Sequence, residues 1–124
     1  MDDKIQRPLA ERQVLQAGSV VIAHLVNPSE KYWGVLMGLD ASGLVLTGIN
    51  VSSFDEWVRQ VARGGPQALG LSTMFVPLFR VERIYLDTQV GEVESYAQRF
   101  SRQVGVGVRQ WLSRALEEDD EVPS

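Results

Sequence analysis

The segment Gly34-Val35-Leu36-Met37-Gly38-Leu39-Asp40-Ala41-Ser42-Gly43-Leu44-Val45-Leu46 constrains this chain more than any other. Two apolar runs flank Asp40-Ala41-Ser42-Gly43. That joint has hairpin composition: Asp bonds its own turn amides, and Gly tolerates positive φ. The spacing predicts strands over residues 32–39 and 44–51, with Gly34 and Gly38 as bending points.

The flanking texture extends the pattern. Residues 19–26, SVVIAHLV, read as a preceding strand, closed by the turn cluster Asn27-Pro28-Ser29-Glu30. After residue 52 the period changes from 2 to 3.6. Ser53-Phe54-Asp55-Glu56 has the form of a capping box, and Phe54, Trp57, Val58, Val61 and Ala62 fall on one helical face. Gly64-Gly65-Pro66 ends that helix. Strand texture returns over residues 71–86, divided by Pro77, which cannot donate to a ladder. Both alternating sets of residues 81–86 carry apolar groups, so a strand covered on both faces is expected there, a barrel wall that also meets a helix or another subunit. Residues 92–116 keep one apolar stripe through Val93, Tyr96, Phe100, Val104, Val108, Trp111 and Leu112, with a break expected at Gly105 and Gly107. Pro8 and Gly18 bracket a short N-terminal helix.

The predicted fold is mainly β with helices: five short strands after an N-terminal helix, with residues 81–86 suggesting a barrel wall. A helical insert lies between strands three and four, and a helical extension follows. The expected divisions are residues 1–90 for the barrel, 91–118 for the extension, and 119–124 for an acidic disordered tail. A chain of 124 residues fits one domain. It has no cysteine, which excludes disulfides and thiolate metal sites. The start, MDDKIQRPLAER, is too polar for a signal peptide and no apolar run reaches a membrane span, so a cytoplasmic protein without membrane contact is expected. The net charge of −4 resides in Glu117–Glu121, five consecutive acids; the remaining body has 12 basic and 11 acidic residues.

Gly34, Leu36, Gly38, Leu39, Asp40, Leu44 and Leu46 stand where the first motif of the Sm-like family places glycine, hydrophobic and acidic residues. Met74 to Leu86 can supply its second motif of short strand, tight turn and final strand. Over about residues 8–86 the chain resembles a divergent, bacterial-type Sm-like protein. The resemblance implies a small, strongly bent five-stranded barrel that joins head to tail into a ring, and an RNA-binding surface. The sequence departs at that surface. The base-contacting asparagine after the turn acid is missing, Leu78-Phe79-Arg80 replaces the expected Arg-Gly, and the lysine-histidine pair of the bacterial host-factor branch has no counterpart.

Candidate residues follow. Tyr32 and Trp33 could stack on a base, with Lys31 beside them for a phosphate. Arg80 and Arg83 flank the last turn, and Arg59 and Arg63 share one side of the inserted helix; ion pairs with Glu56, Glu82 and Asp87 are the structural alternative. Asp40 completes the candidate nucleic-acid-binding set of Lys31, Tyr32, Trp33, Arg80 and Arg83; the resemblance implies that it orients the binding loop, and as a turn residue it would bond its own turn amides. Phe75, Val76, Phe79, Val81, Ile84 and Tyr85 would line the seam between subunits. His24, the single histidine, lacks an evident catalytic partner and cannot build a histidine metal cluster alone. No catalytic residue, metal site or cofactor motif is expected. The expected function is a self-assembling ring acting as a scaffold or binding module, for single-stranded RNA by an unusual surface or for a protein through the C-terminal helices. The alternative is a regulatory or small-ligand barrel outside the Sm-like family.

Overall fold

The computed structural model describes residues 15–120, with side chains through residue 115. Five strands, β1 (Val20–Leu25), β2 (Glu30–Asp40), β3 (Gly43–Asn50), β4 (Ser72–Pro77) and β5 (Val81–Leu86), form one antiparallel sheet in the order β4-β3-β2-β1-β5. Three helices accompany it: α1 (Phe54–Arg63), α2 (Tyr96–Val104) and α3 (Val108–Asp120). The mainly β expectation therefore holds, including the helical insert and the C-terminal helices. The sheet is not closed, because β4 and β5 each pair on one side only. The expected N-terminal helix, apart from residues 15–17, lies outside the described residues, as do residues 121–124 of the expected tail. α3 runs past its expected end at residue 116 to Asp120.

The described residues form two compact units. One holds the chain through Ser52 together with Leu71–Leu86; the other holds Ser53–Gly70 and the chain from Asp87 onward. The inserted helix thus groups with the C-terminal helices, not with the strands that flank it in sequence.

In the first unit, alternation along the strands collects Val21, Ala23, Leu25, Leu36, Leu44, Leu46 and Val76 into one core, with Tyr32, Met74, Val81, Ile84 and Leu86 packed against it. Val20 and Ile22 on the other side of β1 are also buried, as are their neighbours Trp33 and Ile49. The strand covered on both faces is therefore β1. Within one protomer residues 81–86 are not covered on both faces, since Glu82, Arg83 and Tyr85 of β5 are exposed; the cover expected from a second subunit belongs to assembly. A terminal strand lacks the neighbour on each side that shields a central one.

Asp40 pairs with Gly43 across a two-residue turn, and the Asp40 carboxylate accepts a 2.7 Å hydrogen bond from the Ser42 amide. Gly43 is required by proximity, because a Cβ there would collide with the Val76 carbonyl of β4. The β2–β3 register shifts between Leu36 and Gly38, leaving Met37 as the extra residue and bending the ribbon at the expected place.

In the second unit, Trp57, Phe100 and Trp111 pack as a triad with ring centroids 5.4–5.7 Å apart. Phe54 joins Trp57 at 5.9 Å and Tyr96 edge-on at 4.9 Å. The capping box expected at Ser53 is absent. A 3-10 turn over Val51–Ser53 puts Ser53 in a helical conformation with no side-chain cap, and Glu56 bonds Arg59 instead. The complete capping box is at α2, where Ser95 Oγ accepts from the Gln98 amide and Gln98 Oε1 accepts from the Ser95 amide.

Candidate functional site

Two surfaces of the sheet unit present chemistry: its open edges, and a row of side chains across β2, β1 and β5. Of the six expected seam residues, Phe75 is 58% exposed, Phe79 82% and Tyr85 42%. Phe75 lies on edge strand β4, Phe79 on the 3-10 turn Leu78–Arg80 that follows, and Tyr85 on edge strand β5. The other three face inward: Val76 is in the core, and Val81 and Ile84 pack against it. The Leu78 amide donates to the Ser42 carbonyl at 3.0 Å, which holds the 3-10 turn against the β2–β3 turn. Exposed Met37, Leu39 and Leu78 extend the apolar surface there.

The residues expected to touch a nucleic acid do not come together. Trp33 is fully buried, while Tyr32 packs against the core with its hydroxyl 3.4 Å from Glu30. Adjacent strand residues point to opposite faces, so the two rings cannot form one stacking platform. Arg80 is a clasp. Its Nε donates to the Val26 carbonyl at 2.8 Å, and its Nη2 donates to the Pro28 carbonyl at 2.7 Å and to Glu30 Oε1 at 2.9 Å. Its own carbonyl accepts from the Val26 amide. Those donors fix the β1–β2 turn to the start of β5. Asp40 is committed to its turn. Arg59 pairs with Glu56 and Arg83 with Glu82, as the ion-pair alternative holds; Asp87 instead caps α2, accepting from the Tyr96 and Ala97 amides.

Register brings together a set that the sequence keeps apart. Lys31 of β2 and Arg83 of β5 both lie directly opposite His24 of β1. Lys31 and Arg83 are exposed, and His24 is partly buried between them. Tyr85 Oη lies 2.7 Å from His24 Nε2, with ring centroids 5.0 Å apart. When the phenol donates, Nε2 accepts and the ring proton sits on Nδ1; a charged imidazolium reverses that bond. Burial holds the His24 pKa below its ordinary value of 6.5, and the charges of Lys31 and Arg83 push the same way against a smaller opposing effect of Glu82. No sequence signal marks this row, because residues 24, 31 and 83 meet only through strand pairing.

The C-terminal stripe contributes Phe100 and Trp111 to the aromatic cluster of its own unit, and Val108 and Leu112 are buried. Among the described residues no group of three or more His, Cys, Asp and Glu side chains is placed to hold a metal ion. Among them, too, no helix is long and apolar enough to cross a membrane. Comparison with protein-family models, with curated proteins and with solved structures gives no match.

Proposed function

We propose that this chain is a self-assembling scaffold of the Sm-like type, whose protomers join head to tail through the edges of the sheet. The observation that supports it is the pair of open edges at β4 and β5, carrying the exposed rings of Phe75 and Tyr85, with Phe79 beside them. Bare edge strands are templates for further pairing, and apolar rings along them add a reason to be covered. Because the two edges differ, pairing β4 of one copy with β5 of the next is heterologous, and it closes a ring when the rotation closes. The glycine and turn pattern from Gly34 to Leu46 supports the same family reading.

Single-stranded RNA binding is a second reading, favoured by the exposed Lys31 and Arg83 and weakened by the internal engagement of Trp33 and Arg80. A regulatory or small-ligand barrel outside the Sm-like family, monomeric or dimeric, is the alternative to ring assembly. Light scattering behind size exclusion separates the two. A mass several times 13.8 kDa is expected, and a monomer that persists at high concentration overturns the proposal. Fluorescence anisotropy with single-stranded oligonucleotides at low and high salt reads the RNA branch.

A further inference from the structure

We propose that Lys31, His24 and Arg83 form a binding site for a phosphate group on the face of the sheet. The inference does not rest on assembly, since all three residues belong to one protomer and a monomer would keep them together.

The first support is unbalanced charge. Lys31 and Arg83 are each cross-strand partners of His24, on either side of β1. Here two cations flank a titratable imidazole in a single row. Arg83 has Glu82 as a counter-charge at 2.9 Å, and Glu30, one residue before Lys31, is taken by Arg80. Lys31 has no ion-pair partner among the described residues. An anion seated over the row would supply what the protein does not.

The second support is shape. Strands lie about 4.8 Å apart, so the outer two residues start roughly 10 Å apart with the imidazole midway. Lysine and arginine are long enough to converge above it. A phosphate offers several acceptor oxygens, which suits an ammonium, a guanidinium and one ring nitrogen together. Tyr85 occupies Nε2, which leaves Nδ1 for the ligand and holds the ring in one orientation.

The third is coupling. Lys31 and Arg83 disfavour charge on His24; a bound phosphate favours it. Phosphate and proton therefore bind cooperatively, each tightening the other by the same factor. The groups that face His24 are Lys31 from β2 and Arg83 and Tyr85 from β5, and the charge of Glu82, next to Arg83 on β5, opposes the two cations.

One histidine in the sequence makes the test direct. The imidazole resonances of His24 are followed by NMR against pH in chloride and in inorganic phosphate at matched ionic strength. Phosphate is expected to shift them saturably and to raise the apparent His24 pKa. Lys31→Ala and Arg83→Ala should each weaken phosphate binding about tenfold, the loss expected for one charge-assisted hydrogen bond. Arg63→Ala, outside the row, should leave it unchanged. A competing single-stranded oligonucleotide distinguishes the sources: displacement of phosphate assigns the site to a phosphodiester backbone, and failure to displace assigns it to a small phosphate ligand. A shift that merely follows ionic strength, or that keeps the wild-type phosphate affinity in Lys31→Ala, overturns the proposal.

Discussion

Gly34 of β2 and Gly48 of β3 lie directly opposite one another, and their backbones approach so closely that neither position has room for a Cβ. At Gly34 a methyl would meet the Thr47 carbonyl and the Gly48 Cα; at Gly48 it would meet the Trp33 carbonyl. Every obstacle is backbone, so relief requires the strands to separate.

Gly34→Ala and Gly48→Ala should each destabilise the protein by about 2–3 kcal/mol, the upper part of the overpacking range. Gly38→Ala should be neutral or slightly stabilising, because nothing lies within 4 Å of its Cβ position and its φ is not positive. Urea midpoints of the three variants check this. Equal loss at all three would show that the glycines serve chain flexibility and not close approach.

Arg80→Ala removes three side-chain hydrogen bonds to Val26, Pro28 and Glu30 from a residue only 24% exposed. A loss of roughly 2–3 kcal/mol is expected, since the two carbonyls lose a charged donor and Glu30 its counter-charge. Arg80→Lys should recover little of it, because one ammonium cannot reproduce the divergent Nε and Nη2 contacts. Thermal or urea unfolding distinguishes this clasp from a ligand-binding arginine, whose removal would leave stability intact.

Phe75→Ser and Phe79→Ser act on assembly in the opposite sense. Both rings are exposed in the protomer, so folding stability should change by no more than about 0.5 kcal/mol. If the edges pair as proposed, the mass by light scattering falls toward 13.8 kDa. A wild-type mass retained in the double variant would remove these rings from the seam.

The β2–β3 hairpin was legible because its causes are local: Asp40 and Ser42 meet two residues apart, and the turn chemistry is written in adjacent letters. The helical insert was legible from one amphipathic stripe. Burial of the last strand was not, because both of its alternating sets carry apolar residues and only the strand order reveals that β5 has a free side. The row of Lys31, His24 and Arg83 was out of reach for the same reason. The register joins His24 to Arg83, 59 positions away, and no local pattern encodes it. Trp33 shows the limit for a candidate site: an aromatic beside a lysine reads as a stacking platform until the sheet buries it.

His24 gives the protein a defined response to acid. Its pKa lies below 6.5 in the folded state because of burial, Lys31 and Arg83, whereas the unfolded chain protonates at its ordinary value. The unfolded state thus binds the proton more readily, and stability is complete above 6.5. It falls as pH drops from 6.5 through the folded-state pKa, then levels off. Comparing urea midpoints in chloride at about pH 7.5 and about pH 5.5 should show this loss in the wild type and a smaller one in His24→Gln. In Tyr85→Phe the slope should persist, because burial and the two cations remain when the phenol is gone. An unchanged slope in His24→Gln would place the acid response elsewhere.

Ser53 and Ser95 carry the same local signal, a serine followed three residues later by Glu56 or Gln98, and only one forms the cap. At Ser95 the backbone is extended and both reciprocal bonds are made, at 3.0 and 2.7 Å. Asp87 adds a second anchor by accepting from the Tyr96 and Ala97 amides at 2.9 and 2.8 Å. Together these four bonds satisfy the amides that an α-helix start leaves without intrahelical partners. At Ser53 the preceding 3-10 turn already places the residue in a helical conformation, which turns its side chain away from a capping position. Ser95→Ala should therefore cost about 1 kcal/mol, Ser53→Ala only a few tenths, and Asp87→Asn an intermediate amount through lost charge at the helix start. Hydrogen exchange of the Gln98 amide provides the local readout: protection should fall in Ser95→Ala and stay unchanged in Ser53→Ala. Equal costs for the two serines would mean that α1 and α2 begin alike and that the difference in their caps has no energetic weight.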